Sequence, residues 1–321
     1  MFRFRLLSFF VILPFLICFA EETKPAQTTA KPFLLSYTQA RVDLGRDTII
    51  YKQEKVIFGI DLKMNENWSA RVGIDLINMN KPYLKPTVLI YQKEQWTIEG
   101  GIFHTSEMDF SLSQFWGNRF IDRVAADKWI APSADLGARV TYRWNDFITT
   151  DVSLVSGNGY QLLLEKYHPK PAVRVVLTPL NTLKLGAYIA TRHNKNFIET
   201  TFSGFAHMQI DGKWKATGEY FHQTNSRLTQ GQKLNVASFY GTYRLLPWME
   251  LLGRYDFVKS NKLEASNESW HVIQDGQAII GGLIFRCFPS MRIAVNYWNK
   301  RPPVKRIKKE DWLYFCLEFK Y

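Results

Sequence analysis

The residues that could do chemistry in this sequence are mostly charged side chains set in segments of alternating polarity. Eight basic residues occupy polar positions of such segments: Arg71, Arg139, Arg143, Arg174, Lys184, Lys215, Arg254 and Arg292. Acidic residues occupy equivalent positions: Asp61, Asp75, Glu99, Glu219, Glu250 and Asp256. Charges of both signs along one face predict a wet channel, and a basic excess would favour anions. Alternatively, these charges pair across strands and only solvate the wall.

The sequence contains no recognisable catalytic arrangement of residues. The histidines are His104, His168, His193, His207, His222 and His271, and no two of them have a metal-ligand spacing such as HExxH. Neither Ser153 nor Ser156 lies in a nucleophile-elbow context. The segment Gly157-Asn158-Gly159 lacks the Lys-Ser/Thr pair of a phosphate-binding loop. We therefore expect no enzymatic activity, no cofactor and no metal.

A long connection at residues 104–133 is the second feature of functional interest. It carries Phe115, Trp116 and the basic residues Arg119, Arg123 and Lys128. A connection of this length in a compact fold is usually functional or disordered, and this one is rich in aromatic residues. We expect it to fold inward and narrow a pore, with the three basic residues at the constriction. An ordered external cap is the alternative.

The elements that would position these residues are strands. At the C-terminus Leu313, Phe315 and Leu317 fall on one face, whereas Tyr314 and Glu318 fall on the other, as strand geometry requires. Segments of about ten residues with this alternation recur along the chain, which is typical of a membrane β-barrel. The predicted fold class is all-β, a transmembrane antiparallel up-and-down barrel of about sixteen strands, beginning near Ser36–Leu44.

The connections alternate between short and long along most of the chain. Short turns are predicted at 65–67, 93–95, 145–146, 181–182, 211–212, 246–247 and 289–290, and longer connections at 45–53, 79–84, 104–133, 156–169, 222–233, 259–274 and 300–310. A two-sheet sandwich has no reason to alternate in this way. An outer-membrane barrel does, because its periplasmic turns are short and its external loops are long.

The N-terminus has the features of a secretion signal. Arg3 and Arg5 precede the apolar stretch from Leu6 to Phe19, and Ala20 suits cleavage before Glu21. The predicted organisation is a signal peptide at 1–20, a flexible tether at 21–32 and the barrel at 33–321. An uncleaved membrane anchor is the alternative reading of the apolar stretch.

Composition agrees with a membrane barrel. Aromatic residues make up 15% of the chain, and barrels carry aromatic girdles at both membrane interfaces. The net charge of +12 is spread along the chain, and no nucleic-acid-binding motif accompanies it. We expect Cys287 and Cys316 to remain unpaired, because a third strand lies between the two predicted strands that carry them.

The stretch from Phe115 to Tyr160 resembles the phosphate-selective porin (porin O and P) family. The pieces that carry the resemblance are Gly117-Asn118-Arg119-Phe120-Ile121, Pro132-Ser133-Ala134-Asp135-Leu136-Gly137, Asn145-Asp146-Phe147, Asn158-Gly159-Tyr160 and Leu177-Thr178-Pro179-Leu180. About seventy residues are involved. The resemblance implies a sixteen-stranded porin, often a homotrimer, with an inward loop and basic residues along the pore. Arg119 and Arg123 lie nearest to the matching motif.

These observations lead to one favoured function. The chain is predicted to be an outer-membrane porin, secreted by its signal peptide, that passes small hydrophilic solutes by diffusion and prefers anions such as phosphate. Its expected partners are such solutes, the lipid bilayer and further copies of itself, with no nucleic acid. The alternative is a non-conducting surface, adhesion or structural barrel with a plugged lumen.

Overall fold

The computed structural model describes residues 28–46, 48–77, 82–109, 117–118, 121, 130–162, 168–264 and 266–321. Sixteen strands form one closed antiparallel sheet in which each strand pairs with its neighbours in sequence. Their bounds are β1 Thr29–Asp43, β2 Thr48–Lys63, β3 Trp68–Asp75, β4 Tyr83–Lys93, β5 Trp96–Phe103, β6 Asp135–Arg143, β7 Ile148–Val155, β8 Lys170–Leu180, β9 Leu183–His193, β10 Ile198–Ile210, β11 Trp214–Thr224, β12 Lys233–Leu246, β13 Met249–Ser260, β14 Gly276–Phe288, β15 Met291–Arg301 and β16 Glu310–Lys320. The predicted antiparallel barrel is confirmed.

Helical structure is minor in the described ranges. A helix of one turn, α1 (Ser106–Asp109), follows β5, and a 3-10 turn (Ser226–Leu228) follows β11. No helix among the described residues is long and apolar enough to cross a membrane.

The barrel closes where the first strand meets the last. The backbone N–H of Leu34 donates to the carbonyl of Tyr321 at 3.0 Å, and that of Tyr321 donates to the carbonyl of Leu34 at 2.9 Å. The pairing continues from Leu35 opposite Lys320 to Asp43 opposite Trp312. Closure matters because an open sheet would present two unpaired edges.

The polarity of the two faces of the sheet is the inverse of that in a water-soluble protein. Large apolar side chains point outward and are exposed, such as Phe315 at 45% and Phe239 at 59%. Charged side chains point inward and are buried, such as Glu318 at 2% and Arg254 at 4%. The period of two along each strand therefore sorts apolar residues to the outer surface and charges to the lumen.

Aromatic pairs surround one end of the barrel on its outer surface. Trp68 contacts Tyr91, Trp96 contacts Tyr142 and Trp214 contacts Tyr243, with ring centroids 4.9, 4.4 and 4.1 Å apart. The members of each pair are directly opposite on neighbouring strands. Such pairs stabilise a sheet and form a girdle of the kind found at membrane interfaces.

The connections differ between the two ends. All seven predicted short turns lie at the girdled end together with the start of β1 and the end of β16, and we call this the turn end. The other end, the loop end, carries the long connection 104–134 and the connections 156–169 and 261–275. It also carries two four-residue connections. One, at 44–47, was predicted as a longer loop at 45–53, and the other, at 194–197, was not predicted.

The start of the barrel is a correction to the sequence prediction. Strand β1 begins at Thr29, seven residues before the predicted start of the first strand at Ser36. The last four residues of the predicted tether, 29–32, therefore belong to the barrel. Thr29 to Phe33 pair only with β2, because β16 ends opposite Leu34. Pro32 lacks an N–H to donate and is tolerated at such an edge, so it does not end the strand. Residues 1–27 lie outside the described residues.

The closure can be tested with one introduced cysteine. Gln39 lies opposite the native Cys316, at a position between hydrogen-bonded pairs, where antiparallel backbones approach most closely. With Cys18 and Cys287 replaced by serine, Gln39→Cys is expected to form a disulfide with Cys316 under oxidation. The denatured chain would then migrate differently before and after reduction, because a cross-linked loop is more compact.

The matched control is Ala40→Cys in the same background. Ala40 is the next residue along β1, so its side chain points to the opposite face, away from Cys316. Equal cross-linking at both positions, or at neither, would contradict the register at the closure.

Candidate functional site: the lumen

The lumen wall contains the eight basic residues that the sequence predicted to be there. Strand register places all of them on the inward face. The three others predicted at the constriction, Arg119, Arg123 and Lys128, lie outside the described residues.

On the wall formed by β2 to β8, three of the predicted basic residues are paired with acids. Arg71 contacts Asp61, Arg139 contacts Glu99 and Arg174 contacts Asp151, each with a shortest N–O distance of 2.5 Å. In each of the three pairs, the two residues are directly opposite each other on neighbouring strands. The predicted alternative of pairing across strands therefore holds for these three residues.

Two further pairs lie on the remaining wall. Arg254 contacts Asp256 at 2.7 Å, and both side chains are 1% exposed. Arg292 contacts Glu318 at 2.7 Å across β15 and β16. Buried charges are costly unless paired, so these contacts first of all keep the wall stable. Among the described residues, Arg143 and Lys215 are predicted basic residues that form no such ion pair.

The connection after β5 turns into the lumen. Helix α1 lies against the paired wall, where the Ser106 carbonyl accepts a hydrogen bond from Arg174 at 2.8 Å. The Asp109 carboxylate lies 3.4 Å from Arg139 and 3.7 Å from Arg174. The two arginines thus hold the wall and the helix together.

A buried ion pair adds to this anchorage. Glu107 contacts Lys170 of β8, and both side chains are almost completely buried. Burial alone raises the pKa of the Glu107 carboxyl. The charge of Lys170 and the hydrogen bonds that Glu107 accepts outweigh this effect, so the pKa lies below its usual value of 4.5.

The same connection crosses the lumen. Arg292 of β15 donates to the carbonyl of Gly117 at 2.7 Å and to Oδ1 of Asn118 at 3.3 Å. Ile121, 4% exposed, packs in a cluster with Tyr240 of β12 and Ile284 of β14. The described parts of this connection therefore fold inward, as predicted, and not over the barrel as an external cap.

The return of the connection to the wall is fixed by one carboxylate. Asp135 at the start of β6 accepts hydrogen bonds from Ser156 Oγ at 2.5 Å and from the Gly157 N–H at 2.7 Å. Gly159 has a φ of +84°, and a Cβ there would lie 2.7 Å from Pro132. Residues that carried the family resemblance thus hold one another in place, and the Gly-Asn-Gly segment serves as a turn.

A second group of basic residues lies near the turn end of the wall from β9 to β16. Its six members, which we call the basic arc, are Lys184, Lys215, Arg244, Arg286, Arg292 and Lys320. Arg244, Arg286 and Arg292 all lie within electrostatic range of Lys215. Two carboxylates contact arc members, Glu250 contacting two arginines and Glu318 contacting Arg292 and Lys320. The arc therefore keeps a basic excess.

Open space remains beside the inward connection. A cavity of about 640 Å³ extends along β1 to β6 and is lined by residues that include Lys31, Asp61, Arg71 and Glu99. A smaller cavity of about 360 Å³ lies at the turn end near Lys184 and His207. Among the described residues, no group of three or more His, Cys, Asp or Glu side chains is arranged to hold a metal ion.

Sequence reasoning missed several of these residues. Arg244, Arg286 and Lys320 occupy inward positions of strands, and their phase with Glu250 and Glu318 could have identified them. Glu107 and Lys170 had no such signal, because the partner of Glu107 is 63 residues away.

Comparison with known proteins bears on the fold. No protein-family model and no curated protein sequence matches the chain. Among solved structures, the outer membrane channel DcaP of Acinetobacter baumannii has a TM-score of 0.71 at 10% identity, covering 94% of this chain and 100% of that one. OprB of Pseudomonas putida has a TM-score of 0.71 at 10% identity, covering 92% and 94%. The trimer form of OmpT, an outer membrane protein of Vibrio cholerae, has a TM-score of 0.70 at 12% identity, covering 92% and 100%.

These likenesses extend over nearly the whole barrel, and at such low identity they concern the fold alone. The class defined here is therefore a closed sixteen-stranded barrel of inverted polarity whose lumen is crossed by an inward connection. Membership of the phosphate-selective porin family stays a prediction.

The Glu107–Lys170 pair predicts a pH-dependent stability. Because folding lowers the pKa of Glu107, its stabilising effect is present above pH 4.5 and is lost as the pH falls through the folded-state pKa. Glu107→Gln is expected to cost about 3–5 kcal/mol at neutral pH, since it leaves Lys170 buried and unpaired. Thermal unfolding at pH 7 and near pH 3 should show a difference in Tm from wild type that narrows at low pH.

The control is Asp146→Asn in an exposed turn, which should leave Tm unchanged at both pH values. If Glu107→Gln had the same Tm as the wild type at pH 7, the Glu107–Lys170 pair would not contribute to the stability of the protein.

Proposed function

We propose that this protein is an outer-membrane porin through which small hydrophilic solutes diffuse. The observation that carries the proposal is the inverted polarity of the closed barrel, with exposed apolar side chains outside and charges inside. Only a lipid environment makes such an outer surface favourable, and closed barrels leave no backbone group unpaired there. The likeness to DcaP, an outer membrane channel, supports the same function.

The orientation follows from the two ends. Periplasmic turns of such barrels are short and external loops are long, so the turn end would face the periplasm and the loop end the exterior. A cleaved signal peptide at residues 1–20 and a homotrimer belong to the proposal. N-terminal sequencing of the mature protein and its mass in detergent test them.

The proposed pore is narrow because the connection 104–134 crosses it. Helix α1 and the contact of Gly117 with Arg292 divide the lumen, and the described residues leave open space on both sides, in the cavity along β1 to β6 and in the smaller cavity near Lys184. The second candidate is a non-conducting barrel, favoured by the apolar cluster around Ile121 in the middle of the lumen.

Conductance distinguishes these two candidates. Purified protein in a planar bilayer is expected to give single-channel steps, and the membrane-extracted protein should change its gel mobility on boiling, as folded barrels do. A heat-modifiable protein without conductance steps would support the plugged barrel. A protein found soluble in the periplasm, with no mobility shift, would contradict both.

We further propose that the pore prefers anions. The basic arc carries more cationic groups than carboxylates, whereas Arg71, Arg139 and Arg174 on the wall from β2 to β8 are each paired with an acid. A cationic lining lowers the energy of a negative solute entering the pore. Phosphate is one such solute, in line with the resemblance of the 115–160 stretch.

Charge reversal in the arc tests this preference. Arg286→Glu with Lys320→Glu alters two side chains that are 41% and 43% exposed, and is expected to shift the reversal potential in a potassium chloride gradient toward cations. Lys259→Glu, at the outward loop-end rim of β13, is the control and should leave the reversal potential unchanged. A wild-type reversal potential that already favours cations would refute the anion preference and leave the porin proposal intact.

A further inference from the structure

Three aromatic side chains line the loop-end half of the lumen. Trp298 of β15 and Trp312 and Tyr314 of β16 occupy inward positions, and we call them the aromatic platform. The ring centroids of Trp298 and Tyr314 are 5.8 Å apart, and those of Trp312 and Tyr314 are 6.5 Å apart. All three side chains are half-buried, so part of each ring is open to the lumen.

Packing explains only part of this arrangement. Trp298 and Tyr314 contact the apolar cluster around Ile121, but Trp312 is not among the residues packed against it. Trp312 lies nearer to the loop end and outside that cluster, so filling the core does not account for an aromatic ring at this position.

Hydrogen-bonding groups surround the platform. The guanidinium of Arg41 lies over one face of the Trp312 ring, 5.0 Å from its centroid, and Asp43 is directly opposite Trp312 on β1. Toward the loop end, Lys300 contacts Glu310 at 3.3 Å. Within the described chain, the Arg41 Nε–H and the Trp298 Nε1–H have no hydrogen-bond partner. Asp43, Lys300 and Glu310 thus place charges of both signs at the edge of the platform.

This combination matches the chemistry of a sugar ring. The face of an aromatic ring is electron-rich and attracts the weakly positive C–H groups of a pyranose, while the hydroxyls need donors and acceptors at the edge. Binding sites for small ligands generally combine an apolar surface with a few such polar groups. A simple inorganic anion would gain nothing from the rings.

We propose that the aromatic platform is a carbohydrate-binding subsite at the outer mouth of the pore, which takes pyranose sugars. The inference rests on the proposed porin function and names a solute class for it. The ring of the sugar stacks on Tyr314 and on the face of Trp312 that Arg41 leaves open, and its hydroxyls bond to Arg41, Asp43 and Glu310. The basic arc lies near the opposite end of the lumen, so the two sites are separate.

Current block by sugar tests the subsite. A linear glucose trisaccharide, added to the full-length protein in a planar bilayer, is expected to reduce the current in a saturable manner. Trp312→Ala should raise the half-blocking concentration by about tenfold. Trp312→Phe, which keeps an aromatic face, should raise it less. Trp214→Ala, on the outer surface at the turn end, should leave the block unchanged.

The outcomes separate the two proposals. Conductance with no sugar block, or with equal block in wild type and Trp312→Ala, overturns the subsite and leaves the porin. Block by benzoate but not by the trisaccharide, lost in Trp312→Ala, overturns the sugar class. If no conductance appears, a fluorescence titration with the trisaccharide decides the subsite by itself. Quenching that is retained in Trp214→Ala and lost in Trp312→Phe supports it, and absence of quenching overturns it.

Discussion

The pairing of β1 with β16 is the constraint on which the rest of this molecule depends. It closes the sheet, and closure gives every strand one outer and one inner face. Because side chains alternate along a strand, a single rule then decides the surroundings of each residue in the wall. Exposed apolar residues outside and buried charges inside follow from that rule without further elements of structure.

The inner face has its own organisation. A buried charge is destabilising unless a partner compensates its lost hydration, and a pair often does no better than two apolar residues. The pairs on the β2 to β8 wall therefore serve more than stability, because Arg139 and Arg174 also contact Asp109 and orient helix α1. Charges near the turn end of the opposite wall are less fully compensated. The lumen thus has one wall that positions the inward connection and one that can act on a solute.

Much of this could be predicted from the sequence, for a simple reason. Alternation and turn residues are local signals, so the outward position of Phe315, the inward position of Glu318 and all seven short turns followed from neighbouring residues. The sequence prediction was wrong where the structure depends on residues that are distant in the chain or on no recognisable local pattern. The connection at 194–197 is as short as a turn although it lies at the loop end, and Pro32 suggested a tether because its pairing partner on β2 is about thirty residues away.

The inner contacts required the third dimension. Nothing near Glu107 indicates that Lys170 is its partner, and nothing near Gly117 indicates Arg292. The aromatic platform is intermediate. Trp312 and Tyr314 are recognisable as inward neighbours from their spacing, but Arg41 and Trp298 join them only through the register of three strands.

The contact between Gly117 and Arg292 joins residues 175 positions apart, whereas nearly every strand pair joins consecutive segments. Hairpins can form as soon as their two strands exist, but this contact requires β15 to have taken its place. Strands that follow one another in sequence thus form the wall, whereas the connection that divides the lumen reaches its final position only when β15 is in place. Without β15 and β16 the sheet would be open and the inward connection would lack its contact with Arg292, so closure of the wall and division of the lumen depend on the same two strands.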